Sequence, residues 1–315
     1  MYKVLVIGCG NIGAQYDIDN DEIQTHVKAW HLNDLTNVYV FDLNQNLVLE
    51  VANKYKCQVV DNISSETLSQ FDIISVCTPT FTHFEILENV LASGVKVVIC
   101  EKPVSNKVEE MILLKDIYKK SKSKILVNYI RRFQPDYFNL KNFVQDVLSA
   151  EKLTNISIRY QRGFINNCSH ALDLLEFLVD KQINFDSIKT HNAVFDQFDN
   201  DETLSLMALW DHVNINILGL GNVLFSHFEI DLYFEKHKIL IKNAGNLIEI
   251  YKTEDKSTIL LPLIFQENIS KKDSLKNYMV PVVDYAIKLM NNPELKDNFI
   301  NSIDLNLKML NYKNN

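Results

Sequence analysis

Two short stretches of the chain carry residue types and spacings that can do chemistry. Residues 1–13 read MYKVLVIGCGNIG, an apolar strand running into Gly8-x-Gly10-x-x-Gly13. Glycines at that spacing allow a tight turn, bring backbone N–H groups up to a pyrophosphate, and let the next helix lie close to the strand. Residues 94–103 read GVKVVICEKP, a second apolar strand ending in Glu101-Lys102-Pro103. It places an ammonium group at the carboxyl edge of the same sheet, where a doubly wound fold binds its ligands. A dinucleotide and an ammonium at one sheet edge suit redox chemistry rather than nucleotide binding alone.

The elements that must position these groups follow from the apolar pattern. Residues 4–7, 38–41, 73–77, 95–99 and 125–127 are short apolar runs between polar turns. Such runs suit strands buried on both faces of a parallel sheet. Between them residues 82–93 place Ile86, Leu87, Val90 and Leu91 at helical spacing, with Gly94 where a left-handed cap is expected. Strands alternating with helices predict a Rossmann-type doubly wound parallel sheet over residues 1–127. From about Thr154 the rhythm changes to apolar–polar alternation, as in residues 213–217, 229–234, 239–241 and 247–250. That pattern predicts an open mixed, largely antiparallel sheet with one covered face. One amphipathic helix is expected between Ile165 and Val179, and helices over 281–290 and 294–310. Residues 128–315 form a second, α+β domain for substrate binding and oligomerisation, its C-terminal helices packing back on the first.

In the glycine motif Asn11 and Ile12 complete the cofactor loop with Gly8, Gly10 and Gly13. An acid that holds the adenosine ribose belongs about twenty residues further on. Asp42 ends the second strand 42 − 13 = 29 residues on, and residues 15–24 (QYDIDNDEIQ) read as a ten-residue insertion that restores the offset to 19. A carboxylate there accepts from ribose hydroxyls and repels a 2′-phosphate, so NAD is expected rather than NADP. The insertion carries Asp17, Asp19, Asp21 and Glu22 and is expected as a solvated loop that leaves the sheet at its ligand edge.

Bulk properties exclude several classes. The charge of 32 − 40 = −8 argues against phosphate-backbone binding. No apolar run approaches the ~20 residues that span a bilayer, and Met1 leads directly into a strand, so neither a membrane span nor a secretory leader is expected. The cysteines Cys9, Cys57, Cys77, Cys100 and Cys168 are odd in number and scattered, without Cys-x-x-Cys. No disulfide framework or metal site is expected, and a reducing cytoplasm is the natural compartment.

Thr78-Pro79-Thr80-x-x-His83, the 94–103 stretch and Asn128-Tyr129-Ile130-Arg131-Arg132-Phe133-Gln134-Pro135 together resemble the glucose–fructose oxidoreductase / inositol dehydrogenase (Gfo/Idh/MocA) family, in order and over nearly the whole chain. The resemblance implies that Thr78 and Pro79 line the nicotinamide-ribose side with His83 nearby. It implies that Glu101 contacts the ribose, that Lys102 stands beside the reacting carbon, and that Asn128 and Arg132 border the substrate. The family's last signature, Asp-x-Gly-x-His-x-x-Asp, falls on residues 166–173 (NNCSHALD). His170 and Asp173 match it and share a helix face at i and i+3. His170 can then take or give a proton on the substrate oxygen, with Asn166 and Asp173 beside the substrate. Asn166 stands where the family has an acid, and Cys168 where it has glycine, so the proton relay differs. A thiolate nucleophile at Cys168 lacks any accompanying oxyanion device.

The insertion, Thr25-His26-x-Lys28-Ala29 and Asn-x-Ser-His resemble members encoded with bacterial surface-polysaccharide enzymes. The implied activity is an NAD-dependent oxidoreductase acting on a secondary alcohol or ketone of a sugar or nucleotide sugar. Rival readings are an inositol or polyol dehydrogenase, a glycosidase that recycles NAD, and a non-catalytic NAD-binding sensor. A homodimer or homotetramer is expected through the uncovered sheet face.

Overall fold

A computed structural model of the chain describes residues 1–254 and 261–313. The chain divides into two compact units, Met1–Phe133 with Asn277–Leu307, and Gln134–Lys276 with the residues from Lys308 on.

The first unit holds β1 (Tyr2–Ile7), β2 (Thr36–Phe41), β3 (Gln58–Val59), β4 (Ile73–Val76), β5 (Val97–Cys100) and β6 (Lys124–Val127), in the order β3-β2-β1-β4-β5-β6. Every neighbouring pair is parallel. All residues of β4 and β5 are buried, which is why they read as short, mostly apolar runs. The chain leaves β1 towards β2 and β3, then returns to the other side of β1. The crevice beyond the carboxyl ends of β1 and β4 is therefore the topological switch point. Helices α1 (His26–His31), α2 (Gln45–Tyr55), α3 (Ser65–Leu68), α4 (His83–Ser93) and α5 (Val108–Lys120) make the crossovers. Asn44 caps α2 by accepting from the N–H groups of Asn46 and Leu47. The indole of Trp30 in α1 donates to Ser75 Oγ in β4 at 2.9 Å, which satisfies two buried polar groups at once.

In the second unit α6 (Pro135–Ala150) and α7 (Ser169–Val179) accompany an eight-stranded sheet. Its strands are β7 (Leu153–Tyr160), β8 (Ser187–Val194), β9 (Thr203–Trp210), β10 (Val213–Gly219), β11 (Phe228–Phe234), β12 (His237–Lys242), β13 (Leu247–Thr253) and β14 (Leu263–Phe265). The order is β14-β13-β12-β11-β7-β10-β9-β8, antiparallel throughout except for the parallel pair β7–β10. Apolar alternation marks β10 to β13 in the sequence. The edge strand β8 carries almost no buried residue, so it shows no such pattern.

Two helices close the chain, α8 (Met279–Asn291) and α9 (Phe299–Lys313). Helix α8 buries Met279, Val282, Val283, Ala286, Ile287 and Leu289 in the core of the first unit. The sequence pattern starts the last helix at Glu294, but it starts at Phe299. The reason lies in β6, an edge strand with unpaired backbone groups. Asp297 accepts from Ile125 N, and the Asn298 amide both accepts from Val127 N and donates to Val127 O, each at 2.9 Å. These side chains complete the strand, so their residues form a turn rather than helix.

Candidate active site

At the end of β1 the three glycines are separated by what surrounds them. Gly8 has φ 103°, and a Cβ there would lie 2.8 Å from the Cys77 carbonyl carbon. A Cβ on Gly13 would lie 2.0 Å from Gly8 O. At Gly10 a Cβ would meet nothing within 4 Å, so the loop opens there, as a pyrophosphate cradle requires. Asn11 and Ile12 belong to one π-helical turn, Asn11–Gln15, in which Ala14 and Gln15 both donate to Gly10 O. Asp42, just past β2, accepts from Cys9 N at 2.7 Å and from Asn44 N at 2.8 Å. Its carboxylate is thus tied to the glycine turn, on the side where an adenosine ribose belongs. The open cradle and this acid fit a dinucleotide. Asp42→Ala should weaken NAD about tenfold or more, the range of one charge-assisted hydrogen bond, and change NADP affinity far less. Calorimetric titration with both nucleotides checks this; an equal loss for both would remove the ribose role.

Thr78 and Pro79 follow β4. Thr82 Oγ1 lies 2.8 Å from both Thr78 Oγ1 and Pro79 O. His83 is buried, with Nε2 2.8 Å from Thr78 O and Nδ1 3.0 Å from Pro103 O. Its ring therefore braces the Thr78–Pro79 turn against the Lys102–Pro103 turn. Burial holds the imidazole below its ordinary pKa despite the carbonyls that favour the charged form.

Glu101, at the end of β5, is 8% exposed. Its Oε1 takes two donors, His26 Nε2 at 2.9 Å and Asn128 Nδ2 at 2.6 Å. Asn128 Nδ2 is also 3.4 Å from Met279 Sδ. Burial by itself would raise the Glu101 pKa; the His26 and Asn128 hydrogen bonds and the nearby Lys102 charge outweigh it and hold the carboxyl below its usual range. A depressed carboxylate pKa stabilises the folded chain above the unfolded value, and that stability is lost as pH falls through the folded one. Lys102 is partly buried, Arg131 is buried, and Arg132 is partly exposed in the turn Ile130–Phe133.

The acidic insertion is only in part the solvated loop that its composition suggests. Asp19, Asp21 and Glu22 are exposed, but Asp17 is fully buried. Asp17 accepts from Gln24 N at 2.5 Å, Thr25 N at 2.9 Å and Thr25 Oγ1 at 2.7 Å. Ile23 N donates to Asn277 Oδ1 at 3.0 Å, next to Tyr278. Burial, then the charges of Glu101 and Asp17, push the Tyr278 phenol well up. Sequence reasoning left out Asp17, His26 and Tyr278 as site residues. The Thr25-His26 pair, at the start of α1, was the available signal.

In the second unit the segment before β9 organises the turn that leads into α7. Asp201 accepts from Ile165 N at 2.9 Å and Asn166 N at 2.7 Å. Glu202 O accepts from Phe164 N, and Thr203 Oγ1 from Gly163 N, both at 2.8 Å. Gly163 has φ 86°, and a Cβ there would lie 2.2 Å from Asp201 Oδ2, so only glycine lets the carboxylate in. The Asn166 amide donates to Arg162 O at 3.0 Å. His170 follows, partly exposed in the first turn of α7, with the buried Asp173 one turn on along the same face. Cys168 is fully buried, and burial, reinforced by Asp201, pushes its thiol pKa well up, which disfavours a thiolate. Asp201→Ala should lower stability by about 3 kcal/mol, because one buried and one partly buried N–H group lose their acceptor. Chemical denaturation measures that loss.

A parallel sheet in the order 3-2-1-4-5-6, a glycine turn after its first strand and an acid after its second define a dinucleotide-binding domain. Residues 2–129 match the oxidoreductase family described as an NAD-binding Rossmann fold, GFO_IDH_MocA. It is 28% identical to inositol 2-dehydrogenase of Rhizobium meliloti over 191 residues, 56% of this chain and 54% of that one. It is 31% identical to UDP-N-acetylglucosamine 3-dehydrogenase of Acidithiobacillus ferrooxidans over 117 residues, 36% of this chain and 37% of that one. The chain thus spans about half the length, or less, of these curated relatives. The crystal structure of the Acidithiobacillus enzyme superposes with a TM-score of 0.76 at 16% identity, covering 98% of this chain and 96% of that one, a likeness of fold. No helix among the described residues is long and apolar enough to cross a membrane.

Proposed function

We propose that the protein is an NAD-dependent oxidoreductase that interconverts a secondary alcohol and a ketone on a sugar or nucleotide sugar, in the building of a cell-surface polysaccharide. The observation that carries this reading is the buried Glu101 carboxylate, held by His26 and Asn128 at the carboxyl edge of the nucleotide-binding sheet and coupled to Lys102. NAD, when bound, supplies the hydride acceptor. Thr78 and Pro79 border the nicotinamide ribose, and Lys102 stands at the reacting carbon. In the oxidation direction Lys102 takes the hydroxyl proton, and His170 steadies the oxygen as a donor while charge develops on it. Asn128, Arg132, Asn166 and Asp173 would orient the sugar for the transfer. Asn166 orients a hydroxyl but carries no proton, which leaves proton transfer to Lys102 and His170.

Relatives named for inositol and for UDP-N-acetylglucosamine support a ring alcohol as substrate. The working assembly in this reading is a homodimer or homotetramer joined through the open sheet face, where Met207 and Leu218 are exposed. The test incubates the protein with NAD and a panel of UDP-sugars, their uronic acids and inositol, and follows product mass. Loss of two hydrogens from a nucleotide sugar supports the proposal. Turnover of inositol alone moves the substrate to the polyols. Cleavage of a glycosidic bond without net loss of hydrogen replaces the reading with the glycosidase.

A further inference from the structure

We propose that His26 is a positioning residue for Lys102, and that the insertion over residues 15–24 serves to place it. The proposal rests on the reading above only for the role of Lys102.

The contacts form one chain. Asp17, buried within the insertion, holds both the N–H and the hydroxyl of Thr25, the residue before His26. Lys28, one position beyond Val27 on the same helix, donates to Asp17 O at 2.9 Å, so the insertion and α1 are fastened on both sides of His26. The imidazole is fully buried and meets Glu101 Oε1 through Nε2 at 2.9 Å. A carboxylate only accepts, so Nε2 carries the hydrogen. Among the described residues His26 Nδ1 is buried with no hydrogen-bond partner, so none of them competes with Glu101 for the orientation of the ring.

Other groups face Glu101 from β4, β5, α4 and the start of α8. Cys77, Cys100 and Tyr278 are pushed up by burial, and His83 is pushed down, so none of these carries charge near neutral pH. Lys102 is then a charged neighbour that the Glu101 carboxylate stabilises. A buried carboxylate is fixed in direction by its donors. Without the His26 donor, the Glu101 carboxylate turns more freely and no longer stands in a fixed place beside Lys102, so the Lys102 ammonium form becomes less favourable.

Isotope-labelled reductive methylation, read by NMR, follows the ionisation of Lys102 in the full chain without any substrate; the Lys102→Arg protein assigns the signal. His26→Leu should lower the Lys102 midpoint by about one pH unit, a tenfold loss in proton affinity. His26→Gln, which retains an N–H donor, should stay within about 0.3 unit. Asp17→Ala and Thr25→Val should shift the midpoint the same way by less, and they decide the matter if His26→Leu does not fold. Unmoved midpoints in folded His26→Leu or, failing that, in both Asp17→Ala and Thr25→Val overturn the proposal. A wild type that turns over no sugar while the midpoints move sinks the functional reading and leaves this coupling standing.

Discussion

Replacing Lys102 with methionine should lower turnover by about a thousandfold or more while leaving NAD affinity within about threefold. A positioned acid–base group contributes about 10²–10⁴, and Lys102 in this account both takes the substrate proton and stabilises charge on the oxygen. The cofactor's main contacts in this account lie elsewhere, in the glycine turn, at Asp42 and along Thr78–Pro79. Methionine retains the length and apolar stem of lysine, so the packing around Glu101 changes little. Loss of NAD binding together with turnover would make Lys102 a structural residue. Turnover close to wild type would place the proton-transfer group elsewhere.

Gly13→Ala should remove NAD binding and cost about 3 kcal/mol of stability, the upper end for forcing a group into a packed site. The added Cβ would stand 2.0 Å from Gly8 O and 3.0 Å from Gly8 C, so backbone must move. Gly8 has little room to yield. Its N–H donates to Phe41 O at 2.8 Å, and its own Cα faces the Cys77–Thr78 backbone. The next residue, Cys9, is fastened to Asp42. Gly10→Ala is the contrasting case. Its Cβ meets no protein atom within 4 Å, so stability should hold while the methyl group fills the pyrophosphate cradle and weakens NAD. Denaturation curves and calorimetry on the two proteins separate the effects. Equal stability of Gly13→Ala and wild type would contradict the packing argument.

Much of the first sheet was legible because its strands are short and buried on both faces, which leaves unbroken runs such as Val97 to Cys100. The order of the strands was implied only by the crossover rules. What escaped the sequence reading depends on contacts between distant residues. Asp201 meets Asn166 across 35 residues, and nothing local separates it from a surface acid ahead of a strand. Asp17 sits in a run of acids that reads as solvent-facing, yet it is the buried member that orders the loop. Asp297 and Asn298 look like part of a helix until β6 is seen to need their side chains. The motifs named Thr78, His83, Glu101 and Lys102 by type and spacing. They gave no hint that His83 ties two turns together, or that the Glu101 carboxylate depends on an imidazole from the far side of an insertion.

The central claim is hydride transfer from a sugar carbon beside Lys102. A single-turnover experiment tests it most directly, with protein in excess over a nucleotide sugar, NAD present, and the absorbance of reduced nicotinamide followed in time. The account predicts a rise in wild type that scales with the sugar added and is absent in Lys102→Met at the same NAD occupancy. No rise in wild type with any sugar or polyol, at saturating and verified NAD binding, would contradict it.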